Sequence, residues 1–283
     1  MATVALALGA GGARGYAHIG AIAEFEARGF EVVSVAGTSM GAMVGGLYAA
    51  GKLPEFTDWV VNLRQTDVLR LLDPSLSAPG AIKAEKMMNK VRSILGKVRI
   101  EDLNIPYTAV ATDVLQSKEI WFQKGPLDAA IRASIAIPSL ISSVTIGGRL
   151  MVDGGLLNPV PIAPLAAVKA DLVVGISLSG QGKNHPMGNP AVLSSDKRAG
   201  KEETETQQLA KIPKGFSTFE IMERSIETMQ GLITRYRTAG YPPDLLIEIP
   251  VDSIGMLDFH KAKNQVELGR RLTARAIDNW GTK

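Results

Sequence analysis

The sequence predicts an α/β fold of three layers, a mostly parallel central sheet sandwiched by helices, and three observations lead there. Apolar runs of strand length alternate with helical patterns along the whole chain. The runs are continuously apolar, as strands covered on both faces must be. Glycine-rich turns lie where strand passes into helix.

Element by element, Val4 to Leu8 reads as a buried strand, followed by glycines and a helix from about Tyr16 to Ala27 that Gly29 closes. Val32 to Ala36 is a second strand leading into a helix across Met40 to Ala50. Glu55 to Leu72 and Ala84 to Leu95 are amphipathic, and in the latter Met87, Met88, Val91, Ile94 and Leu95 share one helical face. Tyr107 to Val114 and Glu119 to Phe122 pair as strands, and a short helix from Asp128 must end before Pro138. Val144 to Ile146 and Leu150 to Val152, joined by Gly147-Gly148, read as a hairpin. Leu172 to Leu178 and Leu245 to Ile249 are further strands, and helices from about Thr218 to Ala239 and Phe259 to Trp280 complete the set. Between them, Gly180 to Gly215 is polar and then charged: a lid over a site or a disordered stretch. Apolar elements resume after it, so residues 1–283 are expected to form a single domain.

With 46% hydrophobic and 21% charged residues, the composition is that of a globular protein. A net charge of +3, with no basic run interleaved with aromatics, argues against a nucleic-acid partner. The absence of cysteine excludes disulfides, thiolate metal sites and a cysteine nucleophile. Two segments imitate other signals. Met1 to Ala10 is apolar like a signal peptide but has no basic start. Val32 to Gly51 runs 20 residues without a charge, with Gly37, Gly41 and Gly45 at GxxxG spacing. Its glycines and hydroxyls favour a buried strand and helix over a membrane span.

The strongest chemical signal is Gly37-Thr38-Ser39-Met40-Gly41, a GxSxG between strand and helix. A serine there sits on a sharp turn with its hydroxyl exposed, and flanking glycines avoid collisions in that turn. The positive end of the following helix faces any developing oxyanion. A second signal is Gly9-Ala10-Gly11-Gly12-Ala13-Arg14-Gly15, after the first strand. It fails both the dinucleotide and P-loop patterns, so no cofactor is expected. What remains is a run of open backbone amides able to receive an anion, as an oxyanion hole does. Candidates for a base are His18, His185, His260 and Asp153. His18 falls inside an apolar helix, His185 in the polar stretch, and His260 at a helix start. Asp153 ends a strand before Gly154 and Gly155, where an ordinary turn would also place it.

Together these motifs resemble the patatin-like phospholipase family, in its bacterial subgroup related to the neuropathy-target-esterase catalytic domain. The likeness rests on Gly11-Gly12-Ala13-Arg14-Gly15, Gly37-Thr-Ser39-Met-Gly41 and Asp153-Gly154-Gly155. The flanks Ile131 to Pro138, Asn158 to Pro161, Asp67 to Asp73 and Leu257 to His260 add to it. The resemblance implies a Ser39–Asp153 dyad without a histidine, an oxyanion hole at Gly11, Gly12 and Arg14, and no metal. It implies hydrolysis of lipid acyl esters, lysophospholipid, phospholipid or simple ester, in the cytoplasm or peripherally at the inner membrane face; Met87 and Trp59 are candidates for that contact, but both read first as ordinary core residues. Ala10 departs from the pattern, where the family usually has glycine. Two other readings are a patatin-like scaffold with little activity and an α/β-hydrolase with a Ser-Asp-His triad. Against the latter, only one strand precedes Val32 to Ala36.

Overall fold

The computed structural model describes residues 1–71, 84–182 and 218–281. Their strands are β1 (Thr3–Leu8), β2 (Glu31–Thr38), β3 (Tyr107–Asp113), β4 (Lys118–Phe122), β5 (Val144–Ile146), β6 (Arg149–Asp153), β7 (Leu172–Gly180) and β8 (Leu245–Pro250). All join one sheet in the order β5-β6-β3-β2-β1-β7-β8, with β4 also on β3. The central pairings β1–β2, β2–β3, β1–β7 and β7–β8 are parallel. Those of β3 with β4 and β6, and of β5 with β6, are antiparallel. Helices α1 (Ala17–Ala27), α2 (Met40–Ala49), α3 (Leu53–Val61), α4 (Gln65–Leu71), α5 (Glu85–Leu95), α6 (Leu127–Ser134), α7 (Thr218–Gly240) and α8 (Ala262–Trp280) flank the sheet. This is the expected three-layer α/β architecture, a mixed sheet with a parallel centre. The polar stretch read as a lid or disordered segment lies outside the described residues, apart from its first three positions.

Strand β1 explains how two unlike faces arise from one short sequence. Val4, Leu6 and Leu8 join the main core with Phe25, Val35, Met43 and Leu47. Ala5, Ala7 and Ala36 face the other way, against Val160, Ile162 and Leu165. Side chains alternate across a strand, so large residues serve one layer and small ones admit the close chain on the other. The uncharged run from Val32 to Gly51 becomes β2 and α2, largely buried. Among the described residues, no helix is long and apolar enough to cross a membrane.

Two expectations need correction. The described part of the amphipathic run from Glu55 to Leu72 forms two helices, not one. Asp67 accepts the backbone N–H of Arg64 at 3.1 Å and starts α4 after α3 has closed at Asn62. A local side-chain cap outweighs the continuous apolar pattern there. The last helix begins at Ala262, and Phe259–Lys261 forms a separate 3₁₀ turn. Helix α8 then crosses α1 backbone to backbone. A side chain on Gly20 would strike the Val266 carbonyl, and one on Gly269 the Ala17 carbonyl. Those glycines set the distance between the two helices.

Candidate active site

Parallel pairing of β1 and β2 sets their C-terminal ends side by side, with Leu8 opposite Gly37. The glycine loop leaves one strand and Ser39 the other, at the edge where ligands gather in such sheets. Strand β3 continues the level, placing Val110 opposite Thr38. Antiparallel β6 ends against β3 with Asp153 opposite Ala111. The crossing of a parallel and an antiparallel pairing thus carries residues 39 and 153 to one place.

Ser39 caps α2 with φ 57° and ψ −123°, a conformation that side chains rarely adopt. Three features hold it. A side chain at Gly37 would meet the Gly41 carbonyl carbon at 2.5 Å, and one at Gly41 would strike the Leu8 carbonyl. Thr38 Oγ1 donates to the Asn158 carbonyl at 2.9 Å, tying the turn to the chain beyond Asp153. The Ser39 N–H donates at 2.9 Å to Ser134 Oγ, which donates in turn to the Val110 carbonyl at 2.6 Å. Ser134 is buried at the end of α6, so its loss leaves the Ser39 N–H without that acceptor. Ser134→Ala should therefore cost about 1–3 kcal/mol and lower turnover through a displaced Ser39. Thermal melts and single-turnover rates check both.

Asp153 is 4% exposed. Its Oδ1 accepts the Gly155 N–H at 2.7 Å, whereas Oδ2 is buried with no hydrogen-bond partner. Burial pushes the carboxyl up to about 6 from the ordinary 3.8. The Ser39 hydroxyl, which makes no full hydrogen bond to Oδ2, and the Gly155 amide pull it back down. The unused oxygen can accept a proton. Gly154 passes so close to β3 that a side chain would strike the Val110 carbonyl.

In the glycine loop, the N–H groups of Gly9, Ala10 and Ala13 donate to the Ile176, Pro159 and Met256 carbonyls at 3.0, 2.8 and 2.8 Å. No backbone acceptor among the described residues takes those of Gly11 and Gly12. Gly11, Gly12, Ser39, Asp153 and Gly155 line one cavity, together with Ala10. A side chain on Gly11 would fall 2.6 Å from Leu178 Cβ, and one on Gly15 2.5 Å from Met40 Cβ. Arg14 does not line this cavity. Its guanidinium donates at 2.6 Å to Glu227 on α7 and at 2.8 Å to the Val251 carbonyl. It anchors the loop from behind.

A family model described as patatin-like phospholipase matches residues 6–166, a span holding the glycine loop, Ser39 and Asp153. The chain belongs to the patatin-like phospholipase family. An NTE family protein of Mycobacterium tuberculosis is 44% identical, across 97% of this chain and 91% of its own length. A protein named lysophospholipase nte1, of Emericella nidulans, is 27% identical over 90% of this chain and 17% of its own. The fold is shared with VipD of Legionella pneumophila, at a TM-score of 0.50 and 13% identity, covering 98% of this chain and 67% of that one.

In this patatin-like chain the described histidines lie away from the cavity lining. His18 is wholly buried, with Nε2 at 2.9 Å from the Gly9 carbonyl, and burial lowers its pKa to about 4. It is a neutral N–H donor that steadies the end of β1. His260 sits in the 3₁₀ turn before α8. His185 lies outside the described residues. Met87 and Trp59, read first as core residues and only second as membrane contacts, are partly buried against the main core and line an apolar cavity.

The roof of the site was not foreseen. Ile226, Met229, Gln230 and Ile233 of α7 cover the cavity, joined by Ile137, Pro138 and Met256. Their i, i+3, i+4, i+7 spacing is the one signal that marks this face in the sequence. The ion pairs that hold helix α7 include Glu227 with Arg14, and Arg237 with Glu119 at 2.8 Å. The first pair is 3% and 14% exposed, so Glu227→Gln leaves a cation buried without its counter-charge. It should lose about 3 kcal/mol, measured by urea unfolding. Among the described residues, no cluster of His, Asp or Glu could hold a metal ion.

Proposed function

We propose that this patatin-like protein is a carboxylic ester hydrolase that cleaves acyl esters of lipids, with Ser39 as nucleophile and Asp153 as general base. Residues 1–283 act as one hydrolase domain in this reading. The observation that carries it is the buried, unpartnered Asp153 Oδ2 in the same cavity as Ser39 and the open Gly11 and Gly12 amides. Asp153 takes the Ser39 proton as Oγ bonds to the ester carbonyl carbon. The carbonyl oxygen gains the negative charge and is received by the Gly11 and Gly12 amides and the N-terminal end of α2. As the C–O bond breaks, Asp153 returns the proton to the leaving alcohol. Water then repeats the sequence on the acyl-enzyme, releasing a fatty acid and restoring Ser39.

Arg14 supports this oxyanion hole indirectly, by its hold on the loop from behind. The apolar cavity wall suits a lipid acyl group, and a lysophospholipid is the substrate class named for the Emericella nidulans relative. Peripheral contact with the inner face of a membrane fits the exposed Leu156 and Met229 at the cavity, with Leu232 and Tyr236 beyond on α7. The deciding experiment is fatty-acid release from lysophospholipids, diacyl phospholipids and p-nitrophenyl esters, with Ser39→Ala as control. Release that depends on Ser39 is expected. No release from any of them, or equal release by Ser39→Ala, refutes the reading.

A further inference from the structure

Among the described residues, Ser39 and Asp153 share the cavity wall with one other polar side chain, Gln230 in the middle of α7. The remaining side chains of the wall are hydrocarbon or thioether. Gln230 is partly buried, and its carboxamide has no hydrogen-bond partner among the described residues. An idle donor and acceptor on an apolar wall invite a polar ligand. The place of the carboxamide is set by its approach to the turn that carries the base. A side chain on Gly155 would fall 2.6 Å from Gln230 Nε2, 3.0 Å from Asp153 Oδ1 and 3.0 Å from Ala10 Cβ. Gly155 is therefore open ground between the carboxamide, the base and the glycine loop. Helix α7 holds Gln230 over that point through Glu227–Arg14, about one turn before it, and Arg237–Glu119, about two turns after.

We propose that Gln230 is a catalytic residue of the second half-reaction, holding the water that hydrolyses the acyl-enzyme. The inference rests on the ester-hydrolase reading and assigns the acceptor side of that reaction. In the acyl-enzyme the carbonyl oxygen occupies the Gly11 and Gly12 amides, and Asp153 Oδ1 is committed to the Gly155 N–H. An enclosed water needs about two to four polar partners. Asp153 Oδ2 takes one of its hydrogens, and the Gln230 carbonyl oxygen takes the other. The first passes to Asp153 as a proton when the water oxygen bonds to the acyl carbon. The second stays on that oxygen and leaves with the fatty acid. As the bond from the acyl carbon to Ser39 Oγ breaks, Asp153 returns its proton to Oγ. The leaving alcohol of the first half-reaction makes no such demand. Its oxygen carries carbon where water has the second hydrogen, and it needs only the proton from Asp153. Gln230 therefore acts on deacylation and leaves acylation alone.

Acyl transfer to methanol in competition with water tests the assignment. Methanol offers Asp153 one hydrogen and has a methyl group in place of the other. The parent and Gln230→Met, which keeps the length of the side chain, are given p-nitrophenyl butyrate in dilute methanol. Methyl butyrate and butyrate are then measured as products. The ratio of ester to acid should rise by about fivefold or more in Gln230→Met, the worth of one hydrogen bond to the reacting water. That ratio compares two fates of one acyl-enzyme, so a loss of folded protein does not move it. The single-turnover burst of p-nitrophenolate should keep its parental rate. An unchanged product ratio, or a burst slowed as much as deacylation, would overturn the assignment and leave the hydrolase reading standing. A parent that cleaves no ester would remove both.

Discussion

Asp153→Asn is expected to lower turnover by about 10²-fold or more, the usual range for loss of a general base, while making the protein more stable near neutral pH. Both effects come from the same buried carboxylate. Folding raises the Asp153 pKa from 3.8 to about 6, with burial as the main cause. The native state therefore binds this proton more tightly than the unfolded chain does. That contribution is complete below the unfolded value and is lost as pH rises through the folded one. Above it, an ionised carboxylate with one unpartnered oxygen costs about 3 kcal/mol. An amide in its place keeps an acceptor for the Gly155 N–H and carries no charge. The variant should accordingly melt higher than the parent at about pH 8 and lose that advantage at about pH 4. Parental kcat/KM should rise with pH through a single ionisation close to 6, where the base becomes competent. Full activity in the Asn variant, or a stability gain that grows on acidification, would contradict this account.

Ser39→Gly should abolish turnover, by more than about 10⁴-fold, without loss of stability. Ser39 holds φ 57° and ψ −123°, where a β-carbon costs about 1–3 kcal/mol and glycine costs little. Glycine adds freedom to the unfolded chain, which takes back about 0.5–1 kcal/mol. The balance favours the variant or leaves it level. Ser39→Ala keeps the β-carbon and the strain, so it should melt below Ser39→Gly. Melting curves of the two variants decide the point. If Ala melts higher, the turn is not strained and the hydroxyl is not held by backbone geometry.

How much of this could be read from residues alone depends on how local each feature is. The Ser39 turn, the glycine loop and the Asp153 turn each lie in five to seven consecutive residues. In each the backbone requirement is local, so all three were legible as turns. The layers were legible too, because continuously apolar strands alternate with helices. Ser134 was not: nothing near it in sequence says that its hydroxyl will meet the Ser39 amide, 95 residues away. The direction of Arg14 depends on Glu227, 213 residues on. Trp59 and Met87 left two readings open, core or membrane contact, because an apolar face shows in sequence but what covers it does not. They turn inward, to a cavity bordered by residues from five separate stretches of chain. The single helix expected over Glu55 to Leu72 failed for the opposite reason. One aspartate reaching back three residues overrode a long apolar pattern.

The most direct test of a serine served by a carboxylate is the pH dependence of fluorophosphonate modification, followed by intact mass and peptide mapping. The label should fall on Ser39, with a rate that climbs through one ionisation near 6 and collapses in Asp153→Asn. The profile should be the same in His260→Ala. Label on another residue, or a rate at Ser39 indifferent to the loss of the Asp153 charge, would contradict the mechanism.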